Sequence, residues 1–314
     1  MARLHVETWA PDYGTPLEPD LEMAPEEGKV DVTVEVDGAW EPMPGADDGA
    51  PVVAFVDGVR RIDARLTVDD PVEGPVAGLC GSFGVGAVLW HRDERRSEIR
   101  DVRVERLAVL GGGRSEVLPA AGPQLVYRTE AVADHDPASL IRRFHGAMRT
   151  AESELAEELA MAGYFVIADG PLNQLSATDK VGYIKSHRAP YLPPDRLRVV
   201  PELGEGERTP LFTIGQYRRY SWYSRLVPRD GGHSWTGVVR CEVSAALPRD
   251  RATLLADRCA ALLPRVASAP QVDPRAPQNL VPIAALEREL RRRLGEAGLV
   301  HRSLREAVAR AVPA

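Results

Sequence analysis

The chain is poor in cysteine, in lysine and in long apolar runs, and each shortage removes a class of protein. Its three cysteines, Cys80, Cys241 and Cys259, are odd in number and far apart among 314 residues. No Cys-x-x-Cys or paired-histidine spacing is present to hold zinc, so a disulfide scaffold and a structural zinc site are both excluded, and reduced cytosol is the expected compartment. No segment approaches the ~20 apolar residues of a membrane span. Met1 leads into a polar, Pro-rich stretch with no signal-peptide core, so neither secretion nor membrane insertion is expected. A basic excess is missing as well: the net charge is −7, so any contact with nucleic acid must be local. Lysine occurs only at Lys29, Lys180 and Lys185, and the dominance of arginine in an Ala-rich chain is read as genomic base bias at most positions.

Apolar residues make up 44% of the chain, enough for one large domain or two modest ones. The first fifty residues are acidic and rich in Pro and Gly, with one alternating run, Val30 to Val36, that predicts a half-buried strand. Residues 1–50 are therefore read as an extension or docking segment, 51–295 as the main domain and 296–314 as a basic tail or helix.

Within the main domain, Val52 to Val56 is a continuous apolar run that meets Asp57-Gly58, as a buried central strand stopped by a turn would. Arg61 to Val68 alternates as a neighbouring strand, and Cys80 to Trp90 and Val102 to Leu110 predict two more. The glycines at 81, 84 and 86 are out of order for a phosphate loop and are read as strand glycines that allow close approach or a bulge. Asp136 caps a helix running to Ala162, with Pro137 at its first position and a stripe of Phe144, Met148, Ala151, Leu155 and Leu159. Tyr164 to Ala168 is a second buried strand that meets Asp-Gly, at Asp169-Gly170. Further strands are expected at Val181 to Lys185, Gln216 to Leu226 and Trp235 to Val243, the last two joined across Asp230-Gly231-Gly232. Helices are expected near 249–266 and 283–294. The predicted class is α/β, a mixed sheet that opens with antiparallel strands and is flanked by helices.

Two apolar strands that each meet Asp-Gly form the central clue, because each aspartate can project at the sheet's end toward a ligand. Helical periodicity puts Glu152 and Glu158 beside the apolar stripe and points Glu154 and Glu157 at solvent. The rise of ~1.5 Å per helical residue and ~3.3 Å per strand residue brings Glu152 level with Asp169 and leaves Glu158 lower, in a surface role. Asp57, Glu152 and Asp169 are thus expected to converge as hard oxygen ligands for Mn²⁺ or Mg²⁺, with two ions performing phosphodiester hydrolysis. Lys185, on the next strand, faces either a phosphate or solvent.

Phe55-Val56-Asp57-Gly58, Glu152, Ala168-Asp169-Gly170-Pro171-Leu172, Gly182-Tyr183-Ile184-Lys185 and the stretch Asp273 to Leu280 together resemble the NurA nuclease family over roughly Pro51 to Leu294. The resemblance implies an RNase H-like fold, Mn²⁺-dependent DNA cleavage, a homodimer and a HerA-like hexameric ATPase as partner, in DNA end processing or antiviral defence. It implies metal carboxylates at Asp57, Glu152 and Asp169, and the strand lysine at Lys185. The family's C-terminal tyrosine and histidine are absent, with Asn279 and Leu286-Glu287 in that region. Asp273 is a candidate fourth acidic ligand, whereas Glu287 is read as the ion-pair partner of Arg291 one helical turn on. Arg60, Arg188, Arg218, Arg219, Tyr220 and Trp222 are candidate nucleic-acid contacts, the last four from a run that interleaves arginines with aromatics and reads equally as strand packing. An adaptor subunit of weak catalytic power is the alternative function; an actin-like ATPase lacks the expected Gly-rich segment.

Overall fold

A computed structural model describes residues 3–6, 30–47, 49–70, 74–185, 191–214, 218–229 and 233–311. Its frame is a mixed sheet. Strand β1 is Arg3–Val6, β2 Val30–Asp31, β3 Met43–Pro44, β4 Val52–Asp70, β5 Gly74–His91, β6 Arg96–Leu110 and β7 Arg128–Ala131. Helix α1 (Pro137–Met161) leads to β8 (Phe165–Asp169) and β9 (Lys180–Ile184), followed by α2 (Pro194–Leu197). The chain continues through β10 (Glu207–Arg208), β11 (Phe212–Ile214), β12 (Arg219–Arg225) and β13 (Val238–Ser244) to helices α3 (Arg249–Leu262), α4 (Val281–Arg293) and α5 (Ala297–Ala311). Along the sheet the order is β2-β11-β12-β13-β9-β8-β4-β5-β6-β7. β4, β5 and β6 form an antiparallel meander, whereas β8 runs parallel to β4 and β9 parallel to β8.

Helix α1 begins where the Asp136 carboxylate accepts the Ala138 N–H at 3.1 Å, ahead of Pro137. Its stripe of Phe144, Met148, Leu155 and Leu159 packs on one face of the sheet, over Ala54, Val56 and Val166. Each large side chain so buried contributes about 1.5–3 kcal/mol. The other face of the same strands, Val53, Phe55 and Ile167, is covered by α3 and α4 through Leu255, Ile283, Leu286 and Leu290. The strand glycines allow close packing: a Cβ at Gly81 would overlap the Phe144 ring.

Several sequence expectations are corrected. Asp57-Gly58 is not a turn, because both residues pair with β5 and β4 runs unbroken for 19 residues. Among the described residues only Val30–Asp31 of the predicted 30–36 strand is extended and paired. Glu35, two residues past that run's midpoint, turns inward instead, and its carboxylate takes the Arg208 guanidinium at 2.8 and 2.9 Å. Trp40 is buried against Phe212 and Tyr223. The region read as a basic tail or helix is helical, and α5 buries Val300 and Leu304 against Leu66, Val68 and Val76 instead of standing apart from the main domain. Glu157, expected in solvent, is bound by Lys180 at 2.6 Å, whereas exposed Glu158 pairs with Arg103. The Asp230-Gly231-Gly232 connection lies outside the described residues.

Candidate metal centre

The site forms where two neighbouring parallel strands part. β4 and β8 pair as far as Val56↔Ala168, so the next residues, Asp57 and Asp169, stand side by side. β8 then ends, because Gly170 at φ +95° turns the chain away, a conformation open to glycine without steric cost. β4 continues, and the divergence leaves a notch. Helix α4 brings Glu287 over the same notch, and oxygens from Asp57, Asp169 and Glu287 all lie within 4.8 Å of one another.

From the other face α1 delivers Glu152. Its carboxylate lies where a Cβ of residue 58 would stand, and it is hydrogen-bonded by the Gly58 N–H, which also meets the Asp57 Oδ1 at 2.8 Å. Gly58 therefore supplies close approach within a strand and not the turn expected there. Glu152 and Asp169 also line a cleft with Ser153, Leu172, Asn173 and Gln174. Glu152 is outside the tight triangle of the other three acids.

Cations hold this cluster together. Lys185 Nζ donates to Asp169 Oδ2 at 2.5 Å and to Asn279 Oδ1 at 2.8 Å. Asn279 Nδ2 in turn donates to Asp273 at 2.6 Å. Arg275 forks Glu287 with two bonds of 2.8 Å and reaches Asp273 Oδ2 at 3.1 Å. The loop that carries these residues is anchored where Tyr183 Oη donates to the Gln278 carbonyl at 2.6 Å.

The acids divide by their surroundings. Burial, then the charges of Asp169 and Glu152, pushes Asp57 well above the usual carboxylate range. Burial and the Asp169 charge raise Glu152 to about 8. Burial also raises Asp169, although Lys185 opposes it. For Glu287 burial is outweighed by Arg275, and its carboxyl is held low. Arg275 likewise holds Asp273 well below the usual range.

Asp273 thus stands as a corrected expectation: Arg275 and Asn279 engage its oxygens, and it is not in the acidic triangle. Glu287 does pair with Arg291, at 3.3 Å, yet the same carboxylate faces the two aspartates. The sequence held a signal for it: Glu287 lies four residues after Ile283 and three before Leu290, inside the buried stripe of α4. A glutamate there must have partners.

The expected nucleic-acid contacts scatter. Trp222 is 0% exposed in the core between sheet and α3, so it presents no face to a base. Arg219 pairs with Glu242 at 3.0 Å and donates to the Leu172 carbonyl. Tyr220 is half-buried against the core, Arg218 is exposed, and Arg188 lies outside the described residues. Arg60 is exposed near the centre, its Nε donating to His145 Nε2 at 2.7 Å. Among the described residues no helix is long and apolar enough to cross a membrane.

No protein-family model matches this chain, and no curated protein matches it by sequence. Among solved structures, the NurA nuclease from Sulfolobus solfataricus is similar over 85% of this chain and 88% of that one, at 12% identity and a TM-score of 0.48. A likeness of that degree assigns neither an activity nor a partner to this chain.

Proposed function

We propose that this chain is a divalent-metal-dependent nuclease that hydrolyses phosphodiester bonds of DNA. The observation that carries the reading is the triangle of Asp57, Asp169 and Glu287 oxygens within 4.8 Å, opening beside Glu152 and Lys185. The residues fit a hard cation. All three donors are carboxylates, with no histidine or cysteine to favour a softer metal, and ligands on opposite sides of one Mg²⁺ stand about 4.2 Å apart. The raised values at Asp57 and Glu152 describe acids that lack enough positive charge, which a bound cation would provide. Mn²⁺ or Mg²⁺, in one or two positions, would supply Lewis-acid activation of water and neutralise charge on the phosphoryl group.

The chain's own groups do the rest. Asp57, Asp169 and Glu287 hold the cation, and Glu152 adds a further oxygen. Lys185, fixed by Asn279, has a compact charge within reach of a non-bridging phosphate oxygen. The antiparallel meander followed through α1 by two parallel strands supports an RNase H-like assignment. The motif resemblance supports a homodimer and a HerA-like hexameric ATPase as partner, with a cytoplasmic setting.

Purified protein should degrade DNA with Mn²⁺ and not with EDTA. Asp57→Asn or Asp169→Asn should lower the rate by at least about 10³-fold with the circular dichroism spectrum unchanged, a loss of about 4 kcal/mol in barrier lowering. Undiminished cleavage by either variant would falsify the assignment. One observation favours the adaptor reading instead: Lys185 and Arg275 already neutralise Asp169 and Glu287 without an ion. Calorimetry separates the two, because an adaptor would bind no Mn²⁺.

A further inference from the structure

On one face of α1, His145, Arg149 and Glu152 follow at i, i+4 and i+7, so they form a single row toward β4. Glu152 meets Gly58, and two residues further along the same strand face Arg60 meets His145. The row therefore leads away from the carboxylates along β4. It changes sign on the way, from acid at Glu152 to two guanidiniums at Arg149 and Arg60.

His145 is buried, and its Nε2 accepts the Arg60 Nε–H at 2.7 Å. That hydrogen bond requires an unprotonated imidazole nitrogen, and it fixes the plane of the guanidinium. The other ring nitrogen, Nδ1, is buried and meets no partner among the described residues. Arg149 stands one helical turn after His145 and one before Glu152 on α1, between the residue that bonds Arg60 and the one that meets Gly58. Arg149 is half-buried, and among the described residues it makes no hydrogen bond or ion pair, not even with Glu152. Once a cation satisfies Glu152, its neighbour Arg149 on the same row of α1 has no anion of its own among the described residues. Most other arginines flanking the sheet are held, Arg103 by Glu158 and Arg61 by Asp63.

We propose that Arg149 and Arg60, the latter positioned by His145, form a phosphate subsite that holds the nucleic-acid backbone next to the scissile linkage. This rests on the nuclease reading for its substrate but concerns a separate group of residues. The strand would lie across the notch, one phosphate at the carboxylates and its neighbour between the guanidiniums. His145 is a positioning residue and touches no reacting atom.

The test uses the full chain carrying Asp169→Asn, with Ca²⁺ in place of Mn²⁺, so that a hard cation is present and binding is read without cleavage. Fluorescence anisotropy with a labelled single-stranded oligonucleotide is measured over a range of KCl. Adding Arg149→Gln should weaken binding about tenfold, as loss of one charge-assisted contact does, and lower the slope of log K on log salt by about one unit. Arg149→Lys keeps the charge and should restore the slope. His145→Ala should weaken binding less and leave the slope nearly intact. No oligonucleotide binding by the starting protein, or equal binding with Arg149→Gln in a folded protein, overturns the proposal. Inorganic phosphate is the second probe: if Arg149→Gln abolishes its binding and leaves the oligonucleotide unaffected, the pocket serves a free anion and the backbone assignment falls. Should the unmutated chain fail to cleave DNA with Mn²⁺ while Arg149→Gln still lowers affinity and slope, the nuclease reading fails and the subsite stands.

Discussion

Arg275 decides how the carboxylates of Glu287 and Asp273 coexist. Its fork takes both oxygens of Glu287 and reaches Asp273, two acids each 6% exposed. Removing one partner of a buried pair typically costs about 3–5 kcal/mol, and the half-exposed guanidinium brings the expected cost of Arg275→Gln to roughly 2–3 kcal/mol. A divalent ion can replace the missing charge at Glu287. Mn²⁺ should therefore raise the melting temperature more in Arg275→Gln than in the parent chain, as read by differential scanning fluorimetry; equal shifts would mean that Arg275 and the ion do not share Glu287. Asp57 and Asp169 were legible in the sequence because each closes an apolar run. Glu287 was legible only in part, since its i,i+4 relation to Arg291 is local whereas its approach to the aspartates needs α4 seated on the sheet.

At the scale of elements, the helix α1 and the strand β8 that follows it could be read directly, because burial at a fixed period marks the one and a continuous apolar run the other. Ends were harder. β4 passes through Asp57-Gly58 because β5 pairs with it along its whole length, and nothing local to that dipeptide announces its partner. The same holds for the buried face of α5, because its basic residues mark only the solvated face of the helix. Leu304 is fully buried among Ala64, Leu66 and Leu110, so Leu304→Ala should cost about 2–5 kcal/mol in urea unfolding. A change below about 0.5 kcal/mol, the size usual for exposed positions, would return α5 to the role of a dispensable appendage.

For the molecule as a whole, the uncompensated acids set a pH dependence. Glu152 is raised to about 8 and Asp57 is raised as well, so the folded protein keeps protons that the unfolded chain releases above its ordinary carboxylate values. Stability in EDTA should then fall as pH climbs from about 5 to about 8, the sign that follows when the native state binds more protons. Glu35, Glu157 and Glu287, held low by Arg208, Lys180 and Arg275 against the cost of burial, contribute the opposite slope below about pH 5. Melting temperatures across this range should show an optimum on the acidic side of neutrality, and Glu152→Gln should flatten the alkaline limb. A parent profile that rises toward pH 8 would contradict the burial of these acids. Cation binding needs the ionised forms, so Mn²⁺ affinity should increase over the same interval. The sequence by itself determined the α/β class, the long capped helix and the pair of aspartates that follow apolar runs, because alternation, helical period and capping are properties of neighbouring residues. Tertiary structure alone decided that Trp222 is core, that Asp273 belongs to Arg275, and that Glu287 joins the two aspartates at the notch. Those outcomes depend on which faces of remote segments pack together, and the free energy of such contacts is not encoded in any local window of the chain.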